Sequence, residues 1–185
     1  MSFGFPDMDA GIRDSIALAH RRGTIIFAAA SNNGANDIVP VAFPARLVGQ
    51  VICINSTDGR GSRSRFSPPP RAQDDNFSIL GEAVDPAWAL GPNRMPMGRR
   101  SGTSIATPIA AGVAALVLEF ACQSLRTIRN KERLGHYSGM RAIFELMSTP
   151  MDNYNYIRPS ALFNERARRE SVDIEQAISL KLDDI

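Results

Sequence analysis

The first periodic pattern of hydrophobic positions predicts a helix near the start of the chain. Ile12, Ile16 and Ala19 recur at the spacing of one helix face. Asp9 precedes this stretch and Gly23 follows it, and both residue types are typical of helix ends. The pattern indicates an amphipathic helix with one face against the core.

Short, continuous apolar runs predict strands that are covered on both faces. They are TIIFAAA, residues 24–30, and VICIN, residues 51–55, with further strands expected around FSIL, residues 77–80, and EAV, residues 82–84. Such runs are typical of parallel sheets, and parallel strands need crossover connections. The expected fold class is therefore α/β, a parallel sheet with flanking helices. The Gly-, Pro- and Arg-rich segments 59–70 and 91–100 are expected to be loops.

Residues 105–122 are almost wholly apolar or small, which predicts a helix that protein surrounds on all sides. Pro108, Gly112 and Glu119 within it favour a core helix over a membrane span. Beyond it come a charged stretch and two amphipathic stretches, at residues 125–137, 139–148 and 171–180. We therefore expect a first unit at residues 1–120 and a helical C-terminal extension at residues 121–185, which packs on the first unit or follows it.

Composition and charge argue against several classes of partner. The chain has 185 residues, of which 44% are hydrophobic, enough for one domain with a sizeable core. Its 21 Lys and Arg against 19 Asp and Glu give a formal charge of +2, too close to balance to indicate binding to nucleic acid or to an anionic membrane. Neither a signal segment nor a membrane span is recognised, and the compartment stays undetermined. Cys53 and Cys122 are expected to be buried free thiols.

The segment SGTSIATPIAAG, residues 101–112, places Ser104 where the long apolar helix begins. A helix N-terminus offers unpaired backbone N–H groups and a positive dipole end, which stabilise negative charge. Ser104 is therefore a candidate nucleophile with an anion site beside it, and Gly102 lets the backbone approach a ligand closely. The alternative is that Ser101 or Thr103 caps the helix and that Ser104 is an ordinary first-turn residue.

The run Gly-Thr-Ser-Ile-Ala-Thr-Pro, residues 102–108, followed by Ala111-Gly112, resembles the nucleophile motif of subtilisin-like serine proteases. The resemblance covers about residues 1–120 and implies a subtilisin-like α/β fold that is incomplete at its N-terminus. It also implies that Asn32, in AAASNNG, donates its side-chain amide to the oxyanion of the tetrahedral intermediate. Taken by itself, Asn-Asn-Gly is also a common turn sequence.

The same resemblance implies a cleft that binds an extended polypeptide substrate as an added strand. Residues 1–4 would form one wall and residues 29–31 the other. The residues that this assigns to substrate binding are Ser2, Phe3, Gly4, Ala29, Ala30, Ser31, Asn33, Gly102 and Thr103. The family pattern further implies a cis bond at Phe43–Pro44 and a strand at Arg65-Phe66-Ser67. The residues recognised in the sequence assign no cofactor and no metal ligand.

The base that a serine nucleophile requires is not recognised in the chain. It is usually a histidine held by a carboxylate, and in this family the order along the chain is Asp, His, Ser. His20 precedes Ser104 but lies at a helix end without the family's His-Gly-Thr context, and His136 follows Ser104 in a charged stretch. Neither Asp9 nor Asp58 ends an apolar strand. The expectation is that the Asp and His belong to a missing N-terminal half and that this chain alone is inactive.

Three functions stand as hypotheses. The first is a serine endopeptidase of the subtilisin type that forms an acyl-enzyme on Ser104, represented here by its Ser and Asn half. The second is an inactive fragment or pseudo-enzyme that binds extended peptide. The third is an unrelated α/β protein with a fortuitous helix cap.

Overall fold

The computed structural model of the chain describes residues 1–34, 40–72, 74–85, 98–124, 128–163 and 172–185. The strands described there are β1 (Phe27–Ala29), β2 (Ile52–Thr57), β3 (Phe77–Leu80), β4 (Ser148–Met151) and β5 (Tyr154–Ile157). The helices are α1 (Ala10–Arg21), α2 (Thr103–Gln123), α3 (Tyr137–Leu146), α4 (Pro159–Leu162) and α5 (Val172–Asp183), with a 3-10 helix at Lys131–Gly135.

The strands form one sheet in the order β1-β2-β3-β5-β4. β1, β2, β3 and β5 run parallel, and β4 is antiparallel to β5. Phe27 is paired with Ile52, and Asn55 with Ser78. A mostly parallel sheet with flanking helices confirms the predicted α/β fold class.

The first strands are covered on both faces, as the continuous apolar runs predict. Phe27, Ile52 and Ile54 belong to the large core, which also contains Val117 of α2 and Phe144 of α3. Ala28 and Cys53 alternate with them and pack in a second core with buried Ile16 of α1. Since side chains alternate between the faces of a strand, each apolar run contributes to both cores.

Helix α2 lies on β1, β2 and β3 through a face of small residues. Ala106, Ala110 and Ala114 are buried on that face, which lets the helix approach the sheet closely. The prediction that protein surrounds this helix on all sides is wrong, because the sheet covers one side and Leu116 is 69% exposed on another. Within the described residues, α2 is the one helix long and apolar enough to span a membrane, a property it shares with core helices of soluble proteins.

The C-terminal part adds strands to the sheet that the sequence pattern does not predict. β4 and β5 form a hairpin whose turn residues, Asp152 and Asn153, both have positive φ. β5 pairs with β3, and buried Ile143 and Phe144 of α3 join the large core. Residues 121–185 thus contain a β-hairpin in addition to the expected helices, and they share a core with the first unit.

The structure also tests the predicted cis bond, two of the predicted strands and the state of the cysteines. The Phe43–Pro44 bond is cis. Residues 82–84 form no strand, and Val84 makes a single bridge with Arg100. Arg65-Phe66-Ser67 is a turn instead of a strand. Both cysteines are free, but Cys122, in the last turn of α2, is exposed. Residues 91–97 of the second predicted loop lie outside the described residues.

Candidate active site

Helix α2 begins directly after Gly102, which is its N-cap residue. The Gly102 N–H donates to the carbonyl of Gly81 at 2.8 Å, so the helix starts at the carboxyl end of β3. Gly102 has a φ of +157°, a conformation that favours glycine. Ser101 does not cap the helix, because its hydroxyl accepts from the N–H of Ala83 at 2.9 Å. The alternative in which Ser101 or Thr103 is the N-cap is wrong, because Gly102 holds that position and Thr103 is the first residue of the helix.

The first turn of α2 is capped from another segment, by Asn32. The Asn32 Oδ1 atom accepts from the backbone N–H of Thr103 at 2.9 Å and from its hydroxyl at 3.0 Å. Because a backbone N–H can only donate, the end of the amide that faces Thr103 must be the oxygen, Oδ1. The Nδ2 atom is consequently on the other side, and it donates no hydrogen bond within the described residues.

The side chains of Ser104 and Asn32 lie beside the same point of the backbone. A Cβ on Gly102 would be 3.0 Å from Ser104 Oγ and 3.2 Å from Asn32 Nδ2. These two atoms are therefore at most about 6 Å apart, the sum of those distances. One tetrahedral intermediate can span this separation: its carbon would be bonded to Ser104 Oγ, and its oxyanion would accept from Asn32 Nδ2 at about 2.7–3.1 Å. The absence of a side chain at Gly102 keeps this space open.

A cleft of about 500 Å³ brings most of the predicted site residues together. Those that line it are Ser2, Phe3, Gly4, Ala29, Ser31, Asn32, Asn33, Thr103 and Ser104. Ala30 does not line it, because its side chain is fully buried in the second core. Gly102 borders Ser104 and Asn32 without lining the cleft. Phe5, Pro6 and Ala42 also line the cleft, although no sequence motif selects them.

One wall of the cleft has backbone groups that an extended peptide could pair with. The carbonyl of Met1 accepts from the N–H of Ala29 at 3.0 Å, and Phe5 exchanges two hydrogen bonds of 2.8 Å with Phe43. Between these anchors, the backbone N–H and C=O groups of residues 2–4 make no hydrogen bond within the described part of the chain. Such unpaired groups are what a bound strand uses.

The sequence that forms this cleft matches the model of a known protein family. The model of the subtilase family of peptidases matches residues 1–142. The chain belongs to the subtilase family. M-protease of Shouchella clausii and subtilisin Savinase of Lederbergia lenta are each 32% identical to it over 117 residues, or 63% of the chain. The matches cover 28% of the former and 40% of the latter, so the chain spans less than half of these relatives.

Solved structures support the fold of this subtilase chain. The prenylagaramide maturation protease PagA superposes with a TM-score of 0.67 at 21% identity, covering 87% of this chain and 58% of that chain. The S218A mutant of the protease domain of PatA gives 0.62 at 22% identity, covering 93% and 57%. At these identities the likeness concerns the fold alone.

Neither histidine of this subtilase chain lines the cleft. The His20 ring packs edge-on against Tyr137, with ring centroids 5.9 Å apart. His136 lies against Gly23, near the end of α1. The Ser104 hydroxyl makes no hydrogen bond within the described residues, so no base is seen to contact it there.

Asp9 and Asp58, the two candidates for the carboxylate that orients a catalytic histidine, have local structural roles. Asp9 is the N-cap of α1, and its carboxylate accepts from the N–H of Ile12 at 2.8 Å. Asp58 holds a turn by accepting from the N–H groups of Arg60 and Ser62. Among the described residues, no ionisable side chain lines the cleft.

Cys53 offers no competing nucleophile. Its side chain is 7% exposed in the second core, and burial is the main reason why the pKa of its thiol is raised to about 12. Since the thiolate is the nucleophilic form, the group is inert at neutral pH.

Proposed function

We propose that this chain carries the nucleophile and the oxyanion donor of a subtilase-type serine endopeptidase. Ser104 Oγ bonds to the substrate carbonyl carbon while its proton passes to a base, and Asn32 Nδ2 donates to the resulting oxyanion. The peptide C–N bond then breaks as the amine takes that proton, and water hydrolyses the ester on Ser104. The observation that carries the proposal is the pair of hydrogen bonds from Thr103 to Asn32 Oδ1, which leaves Nδ2 free beside Ser104 Oγ.

The aspartate and histidine of the site would come from polypeptide outside these 185 residues. A serine hydroxyl is a weak nucleophile without a base. Both histidines of the sequence pack elsewhere, and the described residues of the cleft carry no ionisable side chain. This supports a chain that supplies half of the catalytic groups and is inactive alone.

The substrate would be a polypeptide in extended conformation. Residues 2–4 supply unpaired backbone groups along one wall, and Ala29 and Ser31, which also line the cleft, would form the other wall. Gly4 fits closely against Ala42, because a Cβ on Gly4 would be 2.5 Å from the Cβ of Ala42. This close packing holds the wall in place, while main-chain hydrogen bonds would give most of the affinity.

A second candidate is a module that binds extended peptide without cleaving it. The specific observation in its favour is a cleft that has free backbone groups but no base among the described residues. In that case Ser104 would contribute no covalent chemistry, and its replacement would leave peptide binding intact.

A peptide boronic acid separates the two candidates. Its trigonal boron accepts a serine oxygen to give a tetrahedral boronate, with the serine proton released to solvent, so the adduct mimics the tetrahedral intermediate. We expect the 185-residue chain to give a tetrahedral ¹¹B NMR signal that Ser104→Ala abolishes. The matched control is Ser138→Ala, an exposed serine at the start of α3 that does not line the cleft.

Peptide binding is measured in the same samples with the corresponding peptide acid. Equal binding of the peptide acid by wild type and Ser104→Ala, together with an adduct in wild type alone, supports the endopeptidase site. Peptide binding without any Ser104-dependent adduct supports the non-cleaving module and overturns the proposal.

A further inference from the structure

Three buried serines that do not line the cleft, Ser56, Ser64 and Ser67, form a hydrogen-bonded group, here called the serine cluster. Each is at most 1% exposed. The N–H of Ser56, in β2, donates to Ser67 Oγ at 2.8 Å, and the Ser67 hydroxyl donates to the carbonyl of Ser56 at 3.2 Å. The hydroxyls of Ser56 and Ser64 are 2.8 Å apart. The cluster thus holds the turn of residues 64–67 against the end of β2.

One side of the serine cluster leads to Asn32. The Ser67 N–H donates to the carbonyl of Ser64 at 2.9 Å, and this turn presents the Phe66 carbonyl to the N–H of Gly34, also at 2.9 Å. A Cβ on Gly34 would lie 2.3 Å from the carbonyl oxygen of Ser67. The turn therefore packs directly on the backbone two residues after Asn32, and a larger residue there would displace the turn.

The other side of the serine cluster leads to Ser104. A Cβ on Gly81 would be 2.4 Å from Ser56 Oγ and 3.0 Å from the Cβ of Ala106. Gly81 also accepts the hydrogen bond from Gly102 that fixes the start of α2. Ser56 therefore touches the end of β3, beside which α2 and its Ser104 begin.

We propose that the serine cluster is a positioning device that sets the Asn32 amide relative to the Ser104 hydroxyl. The inference rests on the proposed function and adds positioning residues to it, foremost Ser67. Buried hydrogen bonds are directional, so a fully satisfied polar cluster fixes geometry more closely than apolar packing of the same volume. Small displacements matter here, since an oxyanion donor acts only at hydrogen-bond distance.

The test compares Ser67→Ala with Ser179→Ala. Ser179 is a matched control, because it is also buried, at 3% exposure, and its hydroxyl also makes two hydrogen bonds. It accepts from the N–H of Arg129 and donates to the carbonyl of Glu175, and none of these residues lines the cleft. Both variants lose one buried hydroxyl and two hydrogen bonds. We expect Ser67→Ala to weaken binding of the peptide boronic acid about tenfold, with binding of the peptide acid within about twofold of wild type. Ser179→Ala should leave both affinities unchanged.

A second variant and a second readout keep the test independent of folding and of the proposed chemistry. Gly34→Ala disturbs the contact with the turn while retaining every hydroxyl, and it should reproduce the selective loss. The ¹H–¹⁵N signals of the Asn32 side-chain amide should shift in Ser67→Ala and Gly34→Ala, and not in Ser179→Ala. These signals report on the position of Asn32 even if wild type forms no adduct. A missing adduct would count against the proposed function but not against the positioning role.

Unchanged Asn32 signals in Ser67→Ala would overturn the positioning role. So would equal losses of boronic acid and peptide acid binding, or the same losses in Ser179→Ala, because these are the effects of reduced stability.

Discussion

Asn32 Oδ1 accepts two hydrogen bonds from Thr103, one from its backbone N–H at 2.9 Å and one from its hydroxyl at 3.0 Å. The bonds join the segment after β1 to the first residue of α2, across 71 positions of the sequence. They satisfy one of the unpaired donors of the helix start and fix the orientation of the amide. The free end of that amide and the Ser104 hydroxyl then border the same space beside Gly102.

Replacing Asn32 by Asp should separate capping from oxyanion binding. The carboxylate can still accept both hydrogen bonds from Thr103, and negative charge is favourable at a helix N-terminus, so the stability should change little. The donor, however, is replaced by an acceptor. Loss of one oxyanion donor in a serine protease costs about 10²–10³ in rate, and we expect a comparable loss of boronic acid affinity by calorimetry. Full affinity in Asn32→Asp would contradict the assigned role.

Gly102→Ala should damage the site through a single methyl group. The new Cβ would occupy the space beside Ser104 Oγ and Asn32 Nδ2, and the φ of +157° disfavours any residue with a Cβ. We expect loss of the adduct and a lower free energy of unfolding in urea.

Gly112→Ala is the matched control in the same helix. A Cβ there meets nothing within 4 Å, so this variant should keep the adduct and gain about 0.5–1 kcal/mol in stability. A Gly102→Ala chain that forms the adduct as well as Gly112→Ala does would show that the space beside Gly102 is not where the intermediate lies.

The 185-residue chain by itself should hydrolyse peptides no faster than its Ser104→Ala variant. Loss of the histidine from a serine protease triad lowers the turnover number by roughly 10⁶, and both histidines here pack outside the cleft. The measurement is release of a fluorescent group from an extended peptide substrate. Rapid hydrolysis that Ser104→Ala abolishes would mean that the chain supplies its own base.

Thiol reagents should distinguish the two cysteines. Cys122 is exposed, whereas burial raises the pKa of the Cys53 thiol to about 12, so about one Cys53 in 10⁴ is a thiolate at pH 8. Ellman's reagent should modify one thiol in the native chain, two in denaturant, and none in native Cys122→Ser. Rapid modification of Cys53 in the native chain would be inconsistent with the buried second core.

The same shift of pKa predicts how stability changes in alkaline solution. The folded state holds the Cys53 proton more tightly than the unfolded state does, so its contribution is present below about pH 9 and is lost as the pH rises towards 12. Cys53→Ser should show a smaller decline in unfolding free energy over that range, as measured by urea titrations at several pH values. An identical decline in both proteins would contradict the assignment.

The sequence predicts the parts of the fold that depend on local pattern. Periodicity locates α1, and the continuous apolar runs locate β1 and β2 and their coverage on both faces. It does not predict that Leu116 is exposed, because the coverage of an apolar helix depends on which elements pack around it. It also does not predict the hairpin of β4 and β5, although Asp152-Asn153 is a turn sequence that tolerates positive φ.

For the site, the sequence motifs select Ser104 and Asn32 but not the relations between them. Ala30, directly after β1, continues the alternation of that strand and is buried in the second core, whereas its neighbours Ala29 and Ser31 line the cleft. Ala42 could not be selected, because it reaches the cleft through the register between residues 1–5 and residues 42–43. That register is a tertiary property and leaves no local signal.

The most direct test is a crystal structure of the chain with a peptide boronic acid. We predict a covalent bond between boron and Ser104 Oγ, with a boronate oxygen about 2.7–3.1 Å from Asn32 Nδ2 and the peptide extended along residues 2–4. A boronate bound away from Ser104, or one bonded to Ser104 with its oxygens turned away from Asn32, would contradict it.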